Sequence, residues 1–439
     1  MPEPAPIERA TATDLTVLVA DRTSVPMNIG AILVFGDATA PNPAAIRALL
    51  ADRVTRIPRL RQTLRRAPFG CGRPIWVDAP DFQVDRQLEE VRRPDSGGDR
   101  ALFDIAAELL CTPLPDDGPR WRAHLVTVPG CVGLVVIMHH VLADGVSGLA
   151  VLSALADESP ALPSRDFPRP PPRRLALAAD ATREKIRAFR SLPADIRRGF
   201  VGLRELGFGW ESMRPIERTS LNRPTSRRRR LAWVTVPLDD VVTTAHRHGG
   251  TVNDVVLAAV TGALLHVLHT RGEWPDRLVV SVPVSGRRGT AANELGNDTG
   301  VRPISVPATG DDSTRLTEII TATKASSRTS RRASSAAPLG ALFRMLHRTG
   351  LFRLFIEHQR MVHTFETNLR GPTVALHLAG SRVETMVPLV ATPGNTGVTF
   401  AVLSYAGTLG VAVIADPVIV PDQDALAESL STAFGRLAR

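Results

Sequence analysis

"WRAHLVTVPGCVGLVVIMHHVLADGVSG" spans residues 121–148, and its reading decides how the rest of the chain is arranged. Two apolar-rich runs, 121–130 and 131–140, meet at Pro129-Gly130, which reads as the turn of a hairpin. Val132 to Met138 is almost wholly apolar, so the second strand is expected to be buried on both faces. His139 and His140 stand where that strand ends, and alternation sends their side chains to opposite sides. One can face a cleft while the other packs inward. Adjacent histidines are therefore a poor metal pair, and no nearby Asp, Glu or Cys completes a ligand set, so no metal is expected. A neutral imidazole, with an ordinary pKa of about 6.5, is suited to take a proton from a hydroxyl. Asp144 can accept loop amides or hold an arginine, and Gly145 allows an unusual backbone angle or a close approach. From these residues alone, a packed structural histidine remains the alternative. A serine-hydrolase reading falls away, because "GVSGL" lacks the second glycine of G-x-S-x-G.

Working outward, "NIGAILVFG" (28–36) and "RPIWVDAP" (73–80) read as strands. Residues 42–64 and 99–114 carry the helical period, with Asn42 as N-cap and Pro43 at the first helical position. A helix is expected over Ser147 to Asp157. The Pro-rich stretch 159–174, containing "PRPPPRR", marks a boundary. Beyond it come a basic amphipathic region (175–206), a strand (231–238), a helix (239–248) and, after Gly249-Gly250, a second helix from Asn253 to His269. Strands follow at 278–284 and 301–306, then a basic amphipathic stretch (338–362). Three late strands (373–380, 397–407, 408–416) and a closing helix complete the chain. Without βαβ regularity or a nucleotide loop, this mixture predicts an α+β fold. A chain of 439 residues exceeds what one core supports. The expected division is a first domain over 1–160, a Pro/Arg-rich basic linker with an amphipathic helix over 161–230, and a second domain over 231–439.

The apolar fraction of 44% and charged fraction of 22% fit a soluble globular protein. The N-terminus carries no secretory signal, and no apolar run reaches the roughly 18 residues a spanning helix needs. The best candidate, Val255 to Leu268, is interrupted by His266. Three cysteines without CxxC spacing suggest neither disulfides nor zinc, so a cytoplasmic protein is expected. The net charge is +9, and residues 165–230 alone hold 18 basic against 7 acidic groups, a difference of +11. Such a segment can attract anionic lipid or CoA phosphates, or form a solvated face. One tyrosine in the chain gives bases little to stack on, so nucleic acid is not expected.

"HHVLADG" carries the HHxxxDG signature, and the chain resembles the bacterial wax ester synthase/acyl-CoA:diacylglycerol acyltransferase family, within the chloramphenicol acetyltransferase-like and condensation-domain-like proteins. Other motifs follow in the family's order: "MNIGAILVFG", "PLPDDGPRWRAHLV", "TVNDVVLAAVTGAL" (251–264), "VPVSGR" (282–287), "ELGNDTGVRPISVP" (294–307), "TNLRGP" (367–372) and "SYAG" (404–407). Two departures stand out. The family's Pro-Leu-Trp is Pro119-Arg120-Trp121 here, and its Ser-Asn-Val-Pro-Gly-Pro becomes Thr367 to Pro372 with Arg370 inside.

The resemblance implies two chloramphenicol acetyltransferase-like α/β sandwich domains with an active-site tunnel between them. It implies an acyl-CoA-dependent O-acyltransferase forming triacylglycerol or wax ester, with acyl-CoA as co-substrate, a lipid alcohol or other hydroxyl as acceptor, and no further cofactor. His140 would be the general base, acting without an acyl-enzyme. Asp144 would hold the loop, with Arg287 as one available partner. His139 would pack behind, and Gly145 would complete the frame. Asn253, Asp254, Asn297, Asn368 and Trp121 are the expected substrate-binding residues. Each asparagine also has a structural reading: Thr251 to Asp254 fits a capping box, Asn297 can fix a loop, and Asn368 precedes a Gly-Pro turn. The basic amphipathic segments leave a peripheral membrane or lipid-droplet location open. The alternatives are the same chemistry on a specialised metabolite, with Arg120 or Arg370 shaping a polar pocket, and a non-catalytic scaffold.

Overall fold

The structure is a computed structural model that describes residues 6–21, 23–36, 40–94, 97–160, 163, 166–205, 215–285, 295–297, 299–329, 336–391 and 394–439. The first half runs through α1 (Ala12–Ala20), β1 (Asn28–Phe35), α2 (Pro43–Val54), β2 (Gln62–Arg65), β3 (Ile75–Asp78), β4 (Leu88–Arg92), α3 (Gly98–Cys111), β5 (Trp121–Val128), β6 (Cys131–His139) and α4 (Gly145–Leu155). A long helix, α5 (Arg174–Glu205), follows. The second half holds β7 (Arg230–Pro237), α6 (Leu238–Arg247), α7 (Val252–Thr270), β8 (Arg277–Ser285), β9 (Thr299–Pro307), α8 (Asp312–Thr329), α9 (Ala336–Arg348) and α10 (Phe352–Glu357). It ends with β10 (Thr364–Arg370), β11 (His377–Leu378), β12 (Ser381–Val390), β13 (Val398–Tyr405), β14 (Thr408–Ala415) and α11 (Gln423–Leu437).

Two six-stranded sheets organise these elements, in the orders β11-β12-β1-β6-β5-β4 and β7-β14-β13-β10-β8-β9. The first sheet is not built from one half. β12 pairs antiparallel with β1, from Ile29 opposite Val390 to Phe35 opposite Val383. A division at 160 and 231 therefore needs correction, since residues 377–390 complete the first sheet. Nor is all of 161–230 a free connector. Ile216, Leu221 and Asn222 are buried, and Arg229 lies 3.6 Å from the buried Asp416.

β6 is buried on both faces, as its apolar run requires. Leu134, Val136 and Met138 pack with α2 and α4, while Val135 and Ile137 pack with α3 and the inner face of the second sheet. The outer face of the second sheet is covered by α7, α8 and α11. α7 has the length and composition of a membrane span, with a mean hydropathy of 1.5, yet 78% of it is buried inside the protein. It is the central core helix of the second half.

Several local expectations change. The helix read over 42–64 stops at Val54, because Pro58 lacks a donor and disfavours helical geometry before it; residues 58–65 form a 3-10 turn and β2. The stretch 338–362 is two helices, broken at Gly350, whose φ of 75° suits glycine. The strand over 373–380 shrinks to His377–Leu378, since Ala379 and Gly380 turn the chain with φ of 52° and 78°. α1, β4, α8, β10 and β12 were not foreseen.

Candidate active site

The two histidines do face different surroundings. His139 is buried, accepts the Val141 N–H at Nδ1 (3.0 Å), and places Nε2 3.1 Å from Asp21 Oδ2. Burial alone would raise the Asp21 carboxyl, but His139, the Met27 N–H and Arg120 hold it below its usual range. His139 is thus anchored by a hydrogen bond at Nδ1, with Nε2 set beside Asp21. His140 lies one residue past the strand, tethered by its N–H to the Met27 carbonyl at 2.7 Å, and its side chain lines a cavity.

Asn297, from the segment before β9, completes the setting. Its Nδ2 donates to Asp14 Oδ1 and to the His140 carbonyl, each at 2.8 Å. Its Oδ1 therefore faces His140 Nδ1, 3.1 Å away. An amide oxygen only accepts, so Nδ1 carries the imidazole hydrogen and Nε2 keeps its lone pair. Burial pushes the His140 imidazole below the usual histidine value, against the pull of its own backbone, Asp144 and Asn297. The ring is consequently neutral at pH 7, with Nε2 able to accept a proton.

Asp144 caps α4: its Oδ1 accepts the Ser147 N–H at 2.9 Å. Ser147 in turn donates its hydroxyl to the Gly296 carbonyl at 3.1 Å, joining the loop to the segment that carries Asn297. Arg287, the suggested partner of Asp144, lies outside the described residues. Gly145 has no left-handed φ; it supplies space instead, since a Cβ there would lie 3.2 Å from the Leu369 side chain of β10.

The cavity has a volume of about 1020 Å³, its open mouth included. Its walls come from both halves: Ile29 and Met138 of the first sheet, Leu149 of α4, Met386 of β12, and Leu369 and Leu403 of the second sheet. His140, Asp144, Thr367 and Asn368 are the polar exceptions. The structure therefore brings together His140, Asp144, Gly145 and Asn368 at the cavity, with Asn297 directly behind His140.

The remaining expected residues are elsewhere. Trp121 is buried and spends its only donor on the Leu60 carbonyl (2.8 Å), so it is a core residue and not a substrate contact. Asp254 forms the capping box of α7: Oδ2 accepts the N–H and hydroxyl of Thr251, both at 2.8 Å, and Oδ1 accepts the Thr323 hydroxyl. Asp254 and Asn253 line a second cavity beside Arg302 and Lys324. Val282 and Val284 line that cavity while Pro283 lines the first, so the sheet separates the two. Of the two arginine departures, Arg120 pairs with Asp116 (2.5 Å) and Arg370 is exposed at the end of β10. Asp14 and β12 were missed by sequence reasoning. Thr11-x-x-Asp14 before an apolar run was a legible capping-box signal for α1.

Residues 11–256 match the family description "Wax ester synthase/diacylglycerol acyltransferase catalytic domain", and residues 295–438 match its C-terminal domain. The chain is 30% identical over 429 residues to a probable diacylglycerol O-acyltransferase of Mycobacterium tuberculosis, covering 94% of this chain and 91% of that protein. A putative diacylglycerol O-acyltransferase of the same organism is 27% identical, with 99% and 90% covered. Among solved structures, the fold is shared with the wax ester synthase/diacylglycerol acyltransferase from Marinobacter aquaeolei VT8 (TM-score 0.67, 21% identity, 98% of each chain). It is shared too with the starter condensation domain of rhizomide synthetase, solved with C8-CoA (TM-score 0.65, 16% identity, 98% of this chain and 95% of that one). The two-sheet architecture is thus the one the sequence resemblance implied.

Proposed function

The chain belongs to the wax ester synthase/diacylglycerol acyltransferase family, and from that premise we propose that it transfers the acyl group of an acyl-CoA to a lipid hydroxyl, making triacylglycerol or wax ester. The observation that carries this reading is His140, held with Nδ1 on Asn297, its base nitrogen bonded to none of the described residues, on the wall of an apolar cavity. In the reaction, Nε2 removes the acceptor's hydroxyl proton as that oxygen attacks the thioester carbonyl. The tetrahedral adduct collapses, the C–S bond breaks, and the CoA thiolate takes the proton back from Nε2. Asn368 contributes to the lining of the same cavity, and no further cofactor takes part. A polar-acceptor pocket built by Arg120 or Arg370 finds no support, because neither lines the cavity.

Purified protein supplied with long-chain acyl-CoA and a panel of acceptors should release CoA thiol with diacylglycerol or a long-chain alcohol. Turnover confined to polar hydroxyl or amine acceptors would overturn the lipid assignment.

The same reading includes docking on an anionic lipid surface through α5. Its inner face packs Leu177 and Ala181, and Asp180 pairs with Arg9, while Leu175, Ile186 and Phe189 project outward. Arg183, Lys185, Arg187 and Arg190 flank them without an ion pair among the described residues. A basic residue near such a surface contributes about 1 kcal/mol. Vesicles containing phosphatidylglycerol should sediment the protein at low salt, and Phe189→Ser with Arg187→Ser should weaken this. Equal binding to neutral vesicles would refute the electrostatic part.

A further inference from the structure

We infer that Asp14 is a positioning residue for His140, acting through Asn297; the inference rests on the reading of His140 as the base. Asp14 and Asn297 are 3% and 4% exposed, so neither exchanges its partners for water. Asp14 Oδ2 accepts the Thr11 N–H at 2.8 Å, which fixes the carboxylate on the first turn of α1. Its Oδ1 accepts from Asn297 Nδ2.

The consequence lies in the amide's orientation. Were the Asn297 amide turned over, its oxygen would face the Asp14 carboxylate and the His140 carbonyl, three acceptors without a hydrogen among them. Its nitrogen would then point at His140 Nδ1 and favour the other imidazole tautomer, with the hydrogen on Nε2. That tautomer cannot take a proton from the acceptor hydroxyl. Asp14 thereby selects which nitrogen of His140 is the base, although it touches neither the ring nor the cavity.

A second effect follows during reaction. As Nε2 gains its proton, the imidazolium forms beside an amide oxygen that the Asp14 carboxylate already polarises. No second proton moves: Nδ1 keeps its hydrogen, the amide keeps both of its own, and the carboxylate stays ionised. The titratable groups that act on the ring are Asp144, at the cap of α4, and His139, on β6. The relay joins three distant parts of the chain, since Asn297 lies 283 residues from Asp14 and 157 from His140.

The test compares Asp14→Asn, Asp14→Ala and Thr11→Ala. Thr11→Ala removes the other half of the same capping box and leaves the Asn297 contact intact. Asp14→Asn is expected to lower kcat roughly tenfold, with KM for acyl-CoA unchanged, as for a hydrogen bond that strengthens only when charge develops. In ¹⁵N-histidine spectra, the His140 signal, identified by its loss in His140→Ala, should report hydrogen on Nδ1 in the wild type. It should report mixed tautomers in Asp14→Ala. Thr11→Ala should lower Tm while leaving kcat and tautomer as they were. A wild-type tautomer and kcat in Asp14→Ala would overturn the inference, as would a kcat loss in Thr11→Ala equal to that of Asp14→Asn. If the wild type transferred no acyl group, the proposed function would fail, while the tautomer spectra would still decide the role of Asp14.

Discussion

Replacing His140 by alanine is expected to lower kcat by about a thousandfold, the usual worth of a positioned general base. KM should change little, because the cavity that receives the substrates is lined mainly by other residues. The pH profile gives an independent check. Burial holds the imidazole below its ordinary value, so its neutral form persists to lower pH than that of an exposed histidine. The acid limb of kcat/KM should therefore lie below about pH 6.5, with no loss of base as pH rises above it. A His140→Ala enzyme with wild-type turnover would show that the proton leaves by another route. An acid limb well above 6.5 would show that the ring is not desolvated in solution.

The second large effect concerns stability. Glu366 on β10 is fully buried, and neither carboxyl oxygen has a hydrogen-bond partner among the described residues. Its register partner on β13 is Phe400, which projects to the same side of the sheet and is also fully buried. Burial pushes the carboxyl from an ordinary 4.5 up to about 8. The sign follows from proton binding. Below pH 4.5 both folded and unfolded chains hold the proton, and the folded state is at its most stable with respect to this group. Between 4.5 and about 8 only the unfolded chain releases it, so stability falls as pH rises, and above about 8 the loss is complete. The cumulative loss is on the order of 5 kcal/mol. Urea unfolding at pH 5 and pH 8 should show most of this difference in the wild type and a much smaller one in Glu366→Gln. Glu366→Leu should be the more stable protein at pH 8. Parallel pH trends in wild type and Glu366→Gln would mean that the carboxyl finds a partner or water in the folded protein.

The hairpin and its loop were legible because a continuous apolar run, a Pro-Gly turn and a polar loop are all local signals. Strand alternation already separated His139 from His140, and the structure gives each a different set of partners. The capping box at Thr251 was equally local, and it claims Asp254 fully. What the sequence concealed is long-range. β10, "TFETNLR", reads as polar, yet it runs parallel between β8 and β13 and puts Thr367 and Asn368 on the cavity wall. Trp121 looked like part of a substrate motif, and only its indole contact with Leu60 shows it to be core. Asn297 could be singled out, but which of its ends faced His140 depended on Asp14, a residue no local pattern links to it.

The pairing of β1 with β12 governs how the protein can be made. β1 has β6 on one side, about a hundred residues downstream, but its other partner ends at Val390. While the chain emerges from the ribosome, one edge of an apolar strand stays open until nearly nine-tenths of the protein has been synthesised. Closure of so distant a pair is slow, and in that interval the nascent edge can recruit another chain. The loop that follows β6, beside β1, thus gains its complete sheet only late, although its residues are translated early.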